Sequence, residues 1–506
     1  MLIHNKKNHI NTSVAHNLEK PDNKSKSIKG LKASAISQSL NVIIILTKTF
    51  VFTFFISPEN FGLIALSFTF TGFISLLKDF GYTTYIVQQD ELDERELVAI
   101  NTRVVLLGVL SFLAVCVLVI PLSKIYKIVE LNWILPITGL QFILNSFTLV
   151  PFALLLKNME FNKTGKIDVG SSLASVCVGV ILLLFTRSYW VLLITSMSYI
   201  IFQLVLTLKF SSWRHKFSNP FKNKISKSGS RYGLRLTAFN IMTFVSVTLD
   251  TIIIGKLAGT AVLGNYSKSM EFGNSNIDRL IRKPIHQVYF SDLSGKSLDE
   301  KCKLFFQYLF LLVTLVTLIV GPALIFTELI VNNFLSSKWQ PLIVMLPPFL
   351  ICTIIWMTMS LADQLLIVTS KLNRYLFLGL LKAVTGSLAI VISSFWGAKA
   401  IAYSFLLYHV VLFVPFCYSI FSGIDIGNIK AKAMFRDTCI IVVSSLITVL
   451  TPFVLFYLNF ISIAPALIIF TLIYIILHIL IWPCIREYQS FKVFFKNLIA
   501  LKVSHV

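Results

Sequence analysis

Residues 56–68 read ISPENFGLIALSF: one apolar run is broken by Ser57, Pro58, Glu59 and Asn60, and another begins at once. The four polar residues read as the outside turn of a tight hairpin between two membrane-crossing helices, with Pro58 stopping the first and the residues after it opening the second. Composition agrees. The 506 residues are 56% hydrophobic and only 13% charged, with a mean hydropathy of +0.79, far from the range of soluble domains. A spanning helix needs about 20 mainly apolar residues, so the chain can furnish on the order of fourteen.

Working outward from the hairpin, apolar runs against polar breaks place spans near 31–55, 59–79, 97–121, 132–156, 164–186 and 188–209. A basic stretch, KFSSWRHKFSNPFKNKISKSGSR (residues 209–231), then divides the chain. The second set lies near 232–255, 261–287, 303–327, 340–365, 372–396 and 399–422, with a last pair near 437–458 and 462–484. The expected fold is an all-α polytopic membrane protein of about 14 transmembrane helices. Its parts are a basic tail (1–30), an N-lobe of six helices (31–210), a linker (211–231), a C-lobe of six (232–422), a C-terminal helix pair (437–484) and a second tail (485–506). Gly62 and Gly264, 202 residues apart, and Trp133 and Trp339, 206 apart, hint at a repeat of the six-helix half.

On this layout 34 of the 45 Lys and Arg residues fall on one side and six on the other, which makes the first side, and both tails, cytoplasmic. The net charge of +22 is then explained by lysines facing anionic membrane lipid, and no nucleic acid is required. The first thirty residues do not read as a cleaved signal, because the apolar segment behind them is long enough to span. Seven scattered cysteines contain no Cys-x-x-Cys pair and read as small buried hydrophobes, and His409 and His478 read as packing residues. No metal set, cofactor motif or catalytic ectodomain is expected: the outer loops are short, and no Walker A sequence is present.

Charges inside spans are costly, about 2.5–3.5 kcal/mol each on insertion scales, and usually face protein or water. Lys268, Glu271, Ser275, Asp278 and Arg282 follow steps of 3, 4, 3 and 4 and share one face of a regular α-helix. They read either as a wet stripe or as two pairs, Lys268 with Glu271 and Asp278 with Arg282, that neutralise each other. Lys48 and Lys382 fall at mid-span, Arg103 and Arg235 toward the cytoplasm, and Asn41, Gln141 and Asn145 add uncharged polar faces. The candidate ligand-binding cations are therefore Lys48, Arg103, Arg235, Lys268, Arg282 and Lys382. Asn41, Gln141, Asn145, Glu271, Ser275 and Asp278 are the candidate polar lining. Cations through a membrane suit an anionic ligand such as a phosphate, and suit a cationic drug poorly.

Four stretches carry a family resemblance: SPENFGLIALSFTFTGFISLLKDFGYTTYIVQ (57–88), LLLKNMEFNKTGKIDVGSSLASVCVGV (154–180), LDTIIIGKLAGTAVLGNYSKSMEF (249–272) and SSKWQPLIVMLPPFLI (336–351). In order and spacing they resemble the Wzx-type polysaccharide exporters of the multidrug/oligosaccharidyl-lipid/polysaccharide superfamily, in the branch of the colanic acid exporters, over about residues 30–425. One departure is TRSYW (186–190), where the family usually has Gly-x-Gly before the Trp. The resemblance implies a bacterial inner-membrane flippase that turns an undecaprenyl-pyrophosphate-linked oligosaccharide to the outer leaflet by alternating access, with both termini cytoplasmic. The basic residues would hold the pyrophosphate and the polar faces would meet sugar hydroxyls. A glycan polymerase and a chain-length regulator are its candidate partners. The alternatives are a drug/cation antiporter of the same superfamily, a lipid II flippase, and, least favoured, a membrane glycan polymerase or ligase.

Overall fold

The computed structural model describes residues 21–79, 81–89, 93–219, 244, 248–293, 295–424, 426–477 and 482–485. Among them there are helices and no strands. Ten helices are long and apolar enough to cross a membrane, so a multi-pass membrane protein is established. That count is of the described residues and does not confirm the expected fourteen, and most of the expected span 232–255 lies outside the described residues. Pro58–Asp79 and the stretch from Gly259 to Leu293 are helical but outside the ten, and Ile463–Ile476 is a shorter apolar helix.

Contacts divide the chain into two compact units. The first comprises residues 1–52 and 67–242, the second 53–66 and 243–506. The described helices of the first unit are the long part of α1 (Pro21–Phe55), most of α2 (Pro58–Asp79), α3 (Tyr82–Gln88), α4 (Glu94–Tyr126), α5 (Leu131–Lys157), α6 (Phe161–Leu183) and α7 (Tyr189–Phe210). Helix α4 packs along α5, and α6 along α7, which also meets α5. Helix α4 opens as its sequence dictates: Asp93 caps it by accepting the Arg95 N–H at 3.3 Å, and Glu94 and Glu96 meet the positive end of the helix dipole.

After α7 the chain runs extended across the first unit. Ser211, Trp213 and His215 turn inward and Ser212, Arg214 and Lys216 outward, the period of two that an extended strap requires. Asn101 of α4, itself fully buried, donates to the Lys216 carbonyl at 3.0 Å and pairs with His215 Nδ1 at 3.0 Å. The Ser218 N–H donates to Thr102 Oγ1 at 3.0 Å, and Lys216 pairs with Glu94. Trp213 packs against the buried cluster that includes Leu97, Ile100 and Val150. This part of the expected loop is therefore ordered on the helices, while 220–231 lies outside the described residues.

The second unit begins with a helical segment at 248–257 and α8 (Gly259–Met270), which continues through two π turns, Glu271–Ser275 and Asp278–Arg282, into α9 (Lys283–Leu293). Then follow α10 (Leu298–Phe334), α11 (Pro341–Val368), α12 (Leu372–Ser394), α13 (Ala398–Gly423), α14 (Asn428–Tyr457) and α15 (Ile463–Ile476). Helix α11 is the most enclosed: it packs on α10 and α13 and carries the buried Phe349, Ile354, Met359 and Leu365. Helix α10 starts with a capping box in which Ser297 and Glu300 bond each other's backbone N–H.

The tip of the first hairpin, residues 53–66, belongs to this second unit. Pro58 is the first residue of α2, where its missing N–H costs nothing, so it opens that helix while α1 has already ended at Phe55. Trp339, fully buried, donates its indole N–H to the Ile56 carbonyl at 3.1 Å, and its ring meets Phe61 edge to face at 5.7 Å. Gly62 and Gly264 let α2 and α8 touch backbone to backbone: a Cβ on Gly264 would collide with the Pro58 carbonyl, and one on Gly62 with that of Thr260. The tryptophan pair suggested by the repeat does not share an environment, since Trp133 is 65% exposed.

Candidate functional site

A polar cavity of about 410 Å³ lies inside the first unit, among α1, α5, α6 and α7. Four positions singled out in the sequence meet there: Asn41 and Lys48 from α1, Gln141 and Asn145 from α5. Each pair is separated by one or two helical turns, so the amphipathic spacing puts both members on the face that looks inward. Helix α6 adds Ser172 and Ser175, and α7 adds Thr195, Ser196, Tyr199 and Gln203. Lys48 is the only lining residue with a formal charge among the described residues. Ser172 donates to Asn41 Oδ1 at 2.6 Å, and Thr195 Oγ1 is buried without a hydrogen-bond partner among the described residues, a polar group that a ligand or water would satisfy. The volume lies within the ~300–1,000 Å³ of small-molecule sites, and amides and hydroxyls around one ammonium suit a polyhydroxylated ligand bearing at most little charge.

Asp168 of α6, absent from the candidates above, is half-buried one turn before the cavity-lining Ser172. Its carboxylate lies near Gln203 and Tyr199, which line the cavity. Its spacing to Ser172 and Ser175, four and seven residues, was the available signal: it extends a polar face of α6 that sequence reasoning passed over.

The cations of the second unit are placed differently. Lys268 pairs with Glu271 at 2.6 Å, its side chain 6% exposed and its ammonium 4.0 Å from the Phe61 ring centre. Arg282 pairs with Asp278, donates to Ser360 Oγ at 3.1 Å and lies 5.1 Å from the Trp356 ring centre. Lys382 faces Asp363 at 3.9 Å and Phe416 at 4.6 Å. Each of the three thus has a carboxylate within ion-pair distance. The regular five-residue stripe is also altered, because the π turns at 271–275 and 278–282 break its α-helical period. Ser275 is half-buried within the first of these turns. Arg103 is half-buried on α4 and does not line the cavity, and Arg235 lies outside the described residues, as does His478. His409 is a packing histidine, 3% exposed with Nδ1 2.8 Å from the Phe405 carbonyl. Cys302, Cys352 and Cys417 are buried, whereas Cys177 is exposed.

Comparison with known proteins agrees with this architecture. The chain is 26% identical to the lipopolysaccharide biosynthesis protein WzxC of Escherichia coli (strain K12) over 65% of its length and 67% of the relative's. It is 24% identical to a membrane protein of the cps region of Klebsiella pneumoniae, over 76% and 80% of the two chains. Its fold is similar to that of the lipid II flippase MurJ in an inward closed conformation, with a TM-score of 0.59 at 14% identity, over 93% of this chain and all of that one. The family described as "Polysaccharide biosynthesis protein" matches residues 51–344, more than half of the chain. The ordered motifs, the helical fold and this match together make the chain a member of that polysaccharide biosynthesis protein family.

Proposed function

We propose that the protein is a flippase that carries lipid-linked oligosaccharide repeat units across the bacterial cytoplasmic membrane, the polyprenyl chain remaining in lipid while the glycan passes through protein. The observation that carries this is a cavity rich in amides and hydroxyls enclosed by four helices of membrane-spanning type. Hydrocarbon offers sugar hydroxyls no hydrogen-bond partner, and each unmet polar group costs several kcal/mol, so a lining of Asn41, Gln141, Asn145, Ser172 and Gln203 supplies what the bilayer withholds. Lys48 is placed for the one anionic group of the glycan or its phosphate linkage. The lipopolysaccharide role in the name of one relative and the flippase fold support the same reading.

The paired cations of the second unit make that unit a weaker candidate for holding pyrophosphate than its sequence alone suggests. An organic cation fits the first unit's cavity poorly, because its one formally charged lining residue is an ammonium. The test is surface glycan and lipid-linked intermediates in a deletion strain of the source bacterium, complemented with the wild-type gene. Loss of surface polysaccharide with repeat units accumulating on the cytoplasmic side, reversed by the gene, is expected. An unchanged glycan together with altered resistance to organic cations would reassign the protein to drug export.

A further inference from the structure

Resting on that reading of the cavity, we propose that Asn41 is a specificity-determining donor, held in place by Ser172, and that it reads the carbonyl of an acylated amino sugar in the glycan. The Ser172 hydroxyl on α6 donates to Asn41 Oδ1 on α1 at 2.6 Å, and both side chains line the cavity. A hydroxyl has one proton, whereas a carboxamide has one oxygen and two N–H groups. The bond therefore selects one of the two orientations of the Asn41 amide, with its oxygen toward α6 and its N–H donors on the opposite edge, left for the ligand.

Two further lining hydroxyls are fixed in the opposite sense. Ser175 donates to the Ser172 carbonyl at 2.8 Å, and Ser196 to the Leu192 carbonyl at 2.8 Å. With their protons used inside their own helices, both meet a ligand as acceptors. Apolar side chains complete the surface: Ile44 and Ile45 lie one turn from Asn41 on α1, and Val176 one turn from Ser172 on α6. Fixed N–H donors, fixed oxygen acceptors and a branched aliphatic patch are together the complement of an acetamido group. Its carbonyl accepts, its N–H donates and its methyl is apolar. A plain hydroxyl brings no methyl, and a carboxylate brings neither methyl nor N–H. Thr195, 2% exposed and with its Oγ1 unpartnered among the described residues, leaves the same cavity a buried polar atom for a ligand to meet. A site built to hydrogen-bond a group discriminates strongly against analogues lacking it, because its own polar atoms are then left unpaired.

The first measurement is surface glycan in the complemented deletion strain, normalised to the amount of each variant in the membrane. Asn41→Asp keeps the oxygen that Ser172 bonds and removes the N–H donors, and is expected to lower export about tenfold, the scale of an unmet hydrogen bond. Asn41→Leu, which removes the donors without adding a charge, is expected to match it. Ser172→Ala frees the amide to turn and is expected to lower export about threefold. A merely structural staple between α1 and α6 would survive Asn41→Asp, so wild-type export by that variant would overturn the proposal, as would wild-type export by Ser172→Ala. The second measurement is the melting temperature of the purified protein in detergent with N-acetylglucosamine, glucose or glucuronate. A rise with N-acetylglucosamine alone, lost in Asn41→Leu, is expected. A rise with glucuronate and not with N-acetylglucosamine would make the recognised oxygen a carboxylate, and an equal response to all three, or to none, would leave no acyl recognition; either result overturns the proposal. If the wild-type gene itself restores no glycan, the flippase reading fails before this one is reached.

Discussion

Lys48 and Lys268 are both lysines within helices and both candidate ligand-binding cations, yet their surroundings differ. Lys48 lines the polar cavity, while Lys268 is enclosed between Glu271 and the Phe61 ring. Their substitutions should separate accordingly. Lys48→Met is expected to lower glycan export, and Lys48→Arg to retain part of it. Lys268→Met should instead lower stability by roughly 3 kcal/mol, because Glu271 loses the charge that compensates it. The double variant with Glu271→Leu should recover most of that loss, and melting curves of the three proteins would show whether it does. Period and spacing revealed which residues face inward on each helix. They offered the same-helix pairs Lys268–Glu271 and Asp278–Arg282 but not a pair between helices: Asp363 and Lys382 are on different helices, and only the packing of α11 and α12 brings them together.

Helices and their termini were readable from apolar run length, caps and prolines, and the errors came where neighbouring elements decide the outcome. Pro58 marks a break in sequence, but only the early end of α1 shows that it begins the next helix. The π turns after α8 are invisible to a count of apolar residues; there Gly273 lies against Phe349 with no room for a Cβ, and Thr353 of α11 donates to the Gly273 carbonyl at 2.6 Å. The close approach of α2 and α8 predicts that Gly264→Ala destabilises the protein by about 1–3 kcal/mol through overpacking, read as a lower melting temperature. The strap at 211–218 offers a second prediction. Burial holds the His215 imidazole below its usual pKa, so the docked strap favours the neutral ring. Its contribution is present above the ordinary histidine value of about 6.5 and is lost as pH falls from there toward the lowered one. A spin label at Phe217→Cys should therefore gain mobility on acidification from pH 7.5 to 5.5, and His215→Gln should flatten the response.

At the scale of the whole molecule, Trp133, Phe185, Trp396 and Phe460 are exposed aromatics at helix ends that the charge bias of the sequence expects on the outer side. Amphipathic indoles such as those of Trp133 and Trp396 suit the headgroup region. In a cysteine-free background, cysteines at Phe185 and Phe460 are expected to react with a membrane-impermeant maleimide on intact cells, and one at Phe217 only after permeabilisation; the reverse pattern would invert the topology. The seating of residues 53–66 in the second unit bears on how the chain can be cut. A fragment starting at residue 221 would lack the piece that receives the Trp339 N–H and lies against Gly264, and would present an empty slot. Co-expression with residues 1–220 would return that piece as a plug borne on the other polypeptide, so two separately inactive halves should associate and restore export without a covalent link between them.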